Sequence, residues 1–125
     1  MNEVEKKLEA LGIVLDAGPD PMANYVSVQK AGNIWFFSGA GPFKNGKLAV
    51  FGRLGENMTT EEGYQAARLA GINLLAILKR ELGGNWDKLE QIVKLQGFSA
   101  VHRITMNNRR SSMGCPTYLW RCWAT

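Results

Sequence analysis

The sequence predicts an α+β domain in which helices pack on one face of a sheet. Three observations carry that expectation. Two short runs, "YVSVQKAG" and "NIWFFSG", are rich in β-branched and aromatic residues and flank a turn around Ala31-Gly32-Asn33. A capped, amphipathic stretch runs from Thr59 to Gly84. Beyond it, Ile92, Val93, Leu95 and Phe98 give "LEQIVKLQGFS" the character of a fourth strand.

In chain order, "NEVEKKLEAL" places Val4, Leu8 and Leu11 at helical spacing with charged residues between them. With Gly12 as a stop, this predicts a short amphipathic helix over about residues 2–11 on the surface of the body. "AGPDPMAN" has two prolines and a glycine in eight residues and is a loop. In the hairpin that follows, Ile34 to Phe37 is apolar throughout, which predicts a central strand. Asn45-Gly46 is a strong two-residue turn signal and leads to a third strand at about Leu48 to Phe51. Thr59 stands three residues before Glu62, a capping-box spacing that opens the long helix, and Gly83-Gly84 closes it. Within that helix Ala67, Ala70, Leu74, Ile77 and Leu78 form an apolar stripe, while Arg68, Lys79 and Arg80 point elsewhere. Ala66, Ala67, Ala70 and Gly71 are small enough for close approach to a sheet.

A chain of 125 residues supports one domain and one core. Its formal charge of +4 is unevenly placed: residues 1–100 carry 11 basic and 11 acidic side chains, and Arg103, Arg109, Arg110 and Arg121 follow. A balanced body exerts no long-range pull on polyanions, so no specific nucleic-acid partner is expected. No apolar run reaches bilayer length, and the acidic residues of "MNEVEKKLEALGIVL" do not suit a secretory signal, so no membrane association is expected either. Both cysteines follow residue 100, which excludes a disulfide framework for the body. The expectation is a soluble, cytoplasmic protein.

Residues 101–125, "VHRITMNNRRSSMGCPTYLWRCWAT", break this order. They hold the one histidine, both cysteines, Trp120 and Trp123, contain no aspartate or glutamate, and show neither helical nor alternating periodicity. His102, Cys115 and Cys122 match no zinc spacing and lack a fourth ligand, so no metal site is expected. The four arginines with Tyr118, Trp120 and Trp123 suggest a stacking, phosphate-binding arm, but without a folded platform they give only salt-sensitive, non-specific binding. The turn Gly39-Ala40-Gly41-Pro42 lacks the Lys-Ser/Thr and following helix of a phosphate-binding loop.

Taken together, "NYVSVQKAGNIWFFSGAGP", "TTEEGYQAARLAGINLLAIL" and "LEQIVKLQGF" resemble the RidA/YjgF family of small enamine/imine deaminases, hydrolases once labelled L-PSP endoribonucleases. The resemblance runs from about Asn24 to Phe98 and rests on the tyrosine before the first strand, the SGxxP turn and the Ala-rich helix in that order. The leading helix and the phrase KLxGF point to a longer subgroup. The family fold is a chorismate-mutase-like sheet with two helices on one face, assembled as a homotrimer with clefts between subunits. The chain thus divides into a RidA/YjgF-like domain, residues 1–100, and a non-homologous tail, residues 101–125, that leaves the fold incomplete at its C-terminus.

After Phe98 the family pattern continues with a second helix and a strand bearing an essential arginine, and neither is visible here. The genetic code offers a test, because a shifted frame reads the third base of each codon with the next two. Met106-Asn107 then forces glutamate, Asn107-Asn108 gives glutamine or a stop, and Asn108-Arg109 permits proline. Further on, Met113-Gly114 forces glycine, Cys122-Trp123 forces leucine and Trp123-Ala124 forces glycine. The intervening codons permit "NGVSDLLVEVLG", which resembles the family's second helix. The tail reads as the product of a frameshift beginning at about Val101.

The resemblance implies hydrolysis of a reactive enamine or imine, of the 2-aminoacrylate type, to a 2-keto acid and ammonia, without metal or cofactor. A guanidinium would clamp the substrate carboxylate through two parallel hydrogen bonds. Matched residue by residue, Tyr25 corresponds to the cleft tyrosine, and Ser38 and Gly39 to the ligand-contacting SG turn. Ala40 stands where the family commonly has glutamine. No arginine occupies the essential position, and Arg53 and Arg68 read as surface charges, so this chain is expected to be weak or inactive. A catalytically silent, carboxylate-binding trimer is the alternative. An endoribonuclease-like translation inhibitor ranks third, since the body has no histidine pair or carboxylate cluster suited to phosphodiester cleavage.

Overall fold

In the computed structural model, residues 3–21 and 23–100 are described. They form, in order, α1 (Glu3–Ala10), β1 (Val28–Ala31), β2 (Ile34–Phe37), β3 (Phe43–Lys44), β4 (Lys47–Leu48), α2 (Thr60–Glu81) and a 3-10 turn at Trp86–Lys88. The expected α+β class is what these residues adopt. None of the described helices is long and apolar enough to cross a membrane.

Both helices are punctuated by their own sequence. At the start of α2 the Thr59 hydroxyl accepts from Glu62 N–H at 3.2 Å while the Glu62 carboxylate accepts from Thr59 N–H at 2.7 Å, so two orphan donors are satisfied reciprocally. Each C-terminus closes with a glycine at positive φ. Gly12 (φ +68) follows α1, where Gly12 N–H donates to Glu9 C=O and Ile13 N–H to Leu8 C=O. Gly83 (φ +64) does the same after α2, with Gly83 N–H on Arg80 C=O and Gly84 N–H on Lys79 C=O. This is the Schellman pattern, and after α1 its apolar pair, Leu8 and Ile13, is buried.

The two hairpins are equally local in origin. β1 and β2 pair antiparallel from Val28↔Phe37 to Ala31↔Ile34. Gly32 supplies the positive φ (+60) that a two-residue hairpin loop favours at its first central position. β3 and β4 join through Asn45 (φ +52) and Gly46 (φ +73), both in the left-handed region as a type I′ turn requires.

The core lies between α1, α2 and β2. Leu8, Ile13, Leu75, Leu78, Leu82 and Trp86 are buried together, and Trp35 and Phe37 pack on them from the inward face of β2. Ion pairs tie the periphery: Lys79–Glu5 at 3.0 Å joins the helices, and Lys30–Glu81 at 3.7 Å joins β1 to the end of α2. Lys30 also sits 4.2 Å from the centroid of its cross-strand partner Trp35.

Five sequence expectations differ from this structure. The third strand, expected at Leu48 to Phe51, is instead the short β3–β4 hairpin, because the Asn45-Gly46 turn pairs the residues that flank it directly. The fourth strand does not form among the described residues. Between residues 90 and 100 their one backbone hydrogen bond runs from Leu54 N–H to Ala100 C=O (3.0 Å). Alternating apolar residues favour an extended chain, but a strand exists only when a neighbour supplies its ladder. Among the described residues β2 is not central: it pairs there with β1 alone, and its outer face leaves Ile34 53% and Phe36 59% exposed. Along α2 the most buried turn is Leu75 to Leu78, so Ile77 and Leu78 of the expected stripe are buried while Ala67, Ala70 and Leu74 are half-buried. Helix α1 also buries Leu8 in the core and does not lie merely on its surface.

Candidate functional site

Helix α2 anchors two loops that border one cleft. The first is the turn at residues 39–43. Its carbonyls converge on Asn73 of α2, whose Nδ2 donates to Gly41 C=O at 2.8 Å and to Phe43 C=O at 2.9 Å. One half-buried amide therefore fixes both ends of a three-residue segment. Gly39 has φ +125, a conformation that side chains resist, and a Cβ on Gly41 would come within 2.9 Å of the Phe43 ring.

The second is the proline loop at residues 17–21. Gly18 (φ +77) lies directly on α2, where a Cβ would be 3.2 Å from both Ala76 Cβ and Ile77 N. Arg80, one turn further along α2, reaches back to Ala17 C=O at 3.4 Å and to Asp20 Oδ1 at 3.3 Å. The buried side chains of Ala76 and Ile77 are thus covered by this loop, on the opposite flank from Leu75 and Leu78.

Between the loops is an open recess of about 40 Å³, enough for on the order of three water molecules. Pro19, Asp20 and Pro21 line it from one loop, Gly39, Ala40, Gly41 and Phe43 from the other, with Tyr25 and Ser27 at the start of β1 and Ile77 beneath. Among the described residues, Asp20 is the one charged side chain in this lining. Tyr25 is 48% exposed, and its hydroxyl has no partner among the described residues. The structure therefore brings Tyr25 and Gly39 to one recess. Ser38 stands beside it and is otherwise engaged: its N–H donates to Ser27 C=O at 3.0 Å and its hydroxyl donates to Val26 C=O, extending the β1–β2 ladder.

The arrangement suits a small, partly polar molecule held by backbone groups and an aromatic hydroxyl. Among the described residues there is no cluster of three metal-ligating side chains. Of the body arginines expected at the surface, Arg53 is exposed and pairs with Glu56 at 3.6 Å, whereas Arg68 is half-buried on α2. Arg103, Arg109 and Arg110, with His102, Cys115 and Cys122, lie outside the described residues. Glu62 has a carboxyl held below the ordinary value of 4.5, first by the backbone N–H of Thr59 and then by its side chain.

Asn73, Asp20 and Arg80 were not singled out from the sequence as site residues. Asn73 had a usable signal, a lone amide inside the apolar run "AGINLLAIL", since a polar group there needs partners. Asp20 and Arg80 had none, because nothing local links residues sixty positions apart.

A family model described as "YjgF/chorismate mutase-like, putative endoribonuclease" matches residues 5–123. The crystal structure of a "putative endoribonuclease" from Shewanella oneidensis MR-1 aligns with a TM-score of 0.91 at 32% identity, covering 97% of this chain and 80% of that one. The structure of an Agrobacterium tumefaciens protein of unknown function aligns at 0.87 and 30% identity, covering 96% and 73%. Protein TCP17 of Trypanosoma cruzi is 34% identical over 95 residues, 76% of this chain, and the match spans 59% of TCP17. With a family match over nearly its whole length and this fold, the chain belongs to the YjgF/chorismate mutase-like family.

Proposed function

We propose that the cleft between residues 17–21 and 39–43 receives a reactive enamine or imine of the 2-aminoacrylate type and promotes its hydrolysis. The enamine takes a proton at its terminal carbon to become the imine, water adds to the C=N carbon, and the C–N bond breaks to leave a 2-keto acid and ammonia. The observation that supports this reading is the meeting of Tyr25 with Gly39 in one small recess, the pairing that the family resemblance implies. Tyr25 and the Gly39–Gly41 backbone orient the substrate, and Ser38 secures the strand end beneath them. No metal or cofactor enters this reaction.

Turnover by this chain is weak or absent in this proposal, because no cation among the described lining residues faces a substrate carboxylate, and because the reading frame slips at about Val101. The test is single-turnover loss of 2-aminoacrylate, generated in place from serine by a pyridoxal-phosphate dehydratase. A frame-corrected protein should accelerate pyruvate formation, while this 125-residue chain should not. Equal acceleration by both contradicts the impairment. If resequencing finds the tail encoded as written, the match through residue 123 stands on this tail and the frame proposal fails.

A catalytically silent protein that binds a small molecule or carboxylate is the second reading, its silence favoured by the lack of a cation among the described residues that line the recess; pyruvate binding without turnover by either protein would establish it. The endoribonuclease reading draws on the names of the similar proteins. RNA cleavage that co-purifies with the protein and is lost in Tyr25→Phe would support it.

Self-association, as a homotrimer when the fold is complete, is proposed through the outer face of β1–β2, where Ile34 and Phe36 are exposed. In this chain the same face is expected to cause aggregation. A sharply monomeric light-scattering profile of this chain would contradict the aggregation, and a monomeric frame-corrected protein would contradict the trimer.

A further inference from the structure

Of the asparagines in the sequence, Asn45 alone is followed by glycine, and the structure puts that pair at the tip of a minimal hairpin. β3 and β4 pair only through Phe43↔Leu48 and Lys44↔Lys47, and so short a two-stranded ribbon is marginal in water. The pair next to the turn sets two lysines opposite one another, which is destabilising, and neither has an ion-pair partner among the described residues. Asn45 and Gly46 are exposed, and a Cβ on Gly46 would meet nothing within 4 Å. Neither the Asn45 amide nor the Gly46 N–H has a hydrogen-bond partner among the described residues. By contrast Asn57, Asn73 and Asn85 precede bulky residues and are engaged through their side chains.

We propose that Asn45 is a self-modification site, converted to aspartate and isoaspartate when the β3–β4 hairpin opens. In a type I′ turn Asn45 Cβ and Gly46 N lie on opposite sides of the Asn45 Cα–C bond, so the closed hairpin protects the side chain. Once the turn opens locally, Gly46 N bonds to Asn45 Cγ, an approach that glycine favours because it carries no Cβ. The side-chain nitrogen leaves as ammonia, taking the proton that Gly46 N gives up, and a cyclic imide remains. Water then breaks one of the two bonds from Gly46 N to the imide carbonyl carbons. Breaking the bond to Cγ leaves aspartate; breaking the bond to the main-chain carbonyl carbon leaves isoaspartate, whose backbone is one methylene longer. The two products differ in consequence. Asp-Gly suits the same turn and sets a carboxylate between Lys44 and Lys47. The added methylene instead breaks the register that ends at Phe43, a residue of the recess whose carbonyl Asn73 holds.

Peptide mapping of the 125-residue chain after incubation in mildly alkaline buffer at body temperature tests the site. Asn45 should gain the mass of amide-to-acid conversion ahead of every other described asparagine, with isoaspartate confirmed by methyl transfer from an isoaspartyl methyltransferase. Lys47→Glu replaces the like-charge pair by an opposite one and should slow the conversion about two- to fivefold by holding the hairpin closed. The separated isoaspartate form should lose hydrogen-exchange protection at Ala49 N–H, which donates to Pro42 C=O at 2.9 Å. The aspartate form, made as Asn45→Asp, should keep it. Conversion of another described asparagine before Asn45, or an unchanged or faster rate in Lys47→Glu, overturns the proposal. Equal protection in the two forms overturns its reach to the border of the cleft.

Discussion

Residues 39–43 and residues 17–21 border the same cleft and lean on the same helix, but α2 holds them by different chemistry. Asn73 is half-buried and makes two short bonds to main-chain carbonyls, at 2.8 and 2.9 Å. Arg80 is more exposed and makes two long ones, at 3.3 and 3.4 Å, one of them to a side chain nearly surrounded by solvent. Losing the first contact strands carbonyls in a partly desolvated place, whereas losing the second lets water replace it. The cleft therefore has one border fixed by short bonds to the main chain and one held by a longer, solvent-exposed pair.

That contrast can be broken from either side, and the largest effect is expected at Asn73. Asn73→Ala removes both donors, and we expect it to cost about 2 kcal/mol in urea unfolding. Next is Gly18→Ala, which forces a side chain into left-handed backbone and into 3.2 Å contacts with α2; about 1–2 kcal/mol is expected. If Gly18→Ala proves more damaging than Arg80→Gln, close backbone approach holds the proline loop and the ion pair does not. Gly39→Ala meets no atom within 4 Å, so its cost is conformational alone and should be about 1 kcal/mol. Arg80→Gln should change stability by less than about 1 kcal/mol.

The smallest effect concerns α2 itself, the support common to both loops. The Glu62 carboxyl is depressed by its bonds to Thr59, so its contribution is fully present above the unfolded-state value and is lost as pH falls through the lower folded-state value. Acid unfolding should therefore show a component below pH 4.5 that Glu62→Gln removes. An unchanged acid limb would separate the capping box from the stability of α2.

Local chemistry explains which parts of this molecule were legible in its sequence. The caps of both helices, the Gly32 and Asn45-Gly46 turns and the β1–β2 hairpin depend on residues within a few positions of one another, and each stands where its signal is. The strand expected around Ile92 and Phe98 depends on a distant neighbour for its ladder, and the described residues give it none. At the cleft, Tyr25 and Gly39 were reached through family resemblance, because no periodicity marks them. Asn73 hid inside an apolar run, and the Asp20–Arg80 pair is a product of tertiary packing over sixty residues.

The central claim is that the recess between these two loops is where a small acid binds. Amide chemical-shift mapping during a pyruvate titration tests it most directly. The account predicts that the perturbed amides cluster at Asp20, Tyr25 and Gly39 to Phe43. Shifts concentrated elsewhere, for example along β3–β4 or the start of α2, or a spectrum that pyruvate leaves unchanged, would contradict it.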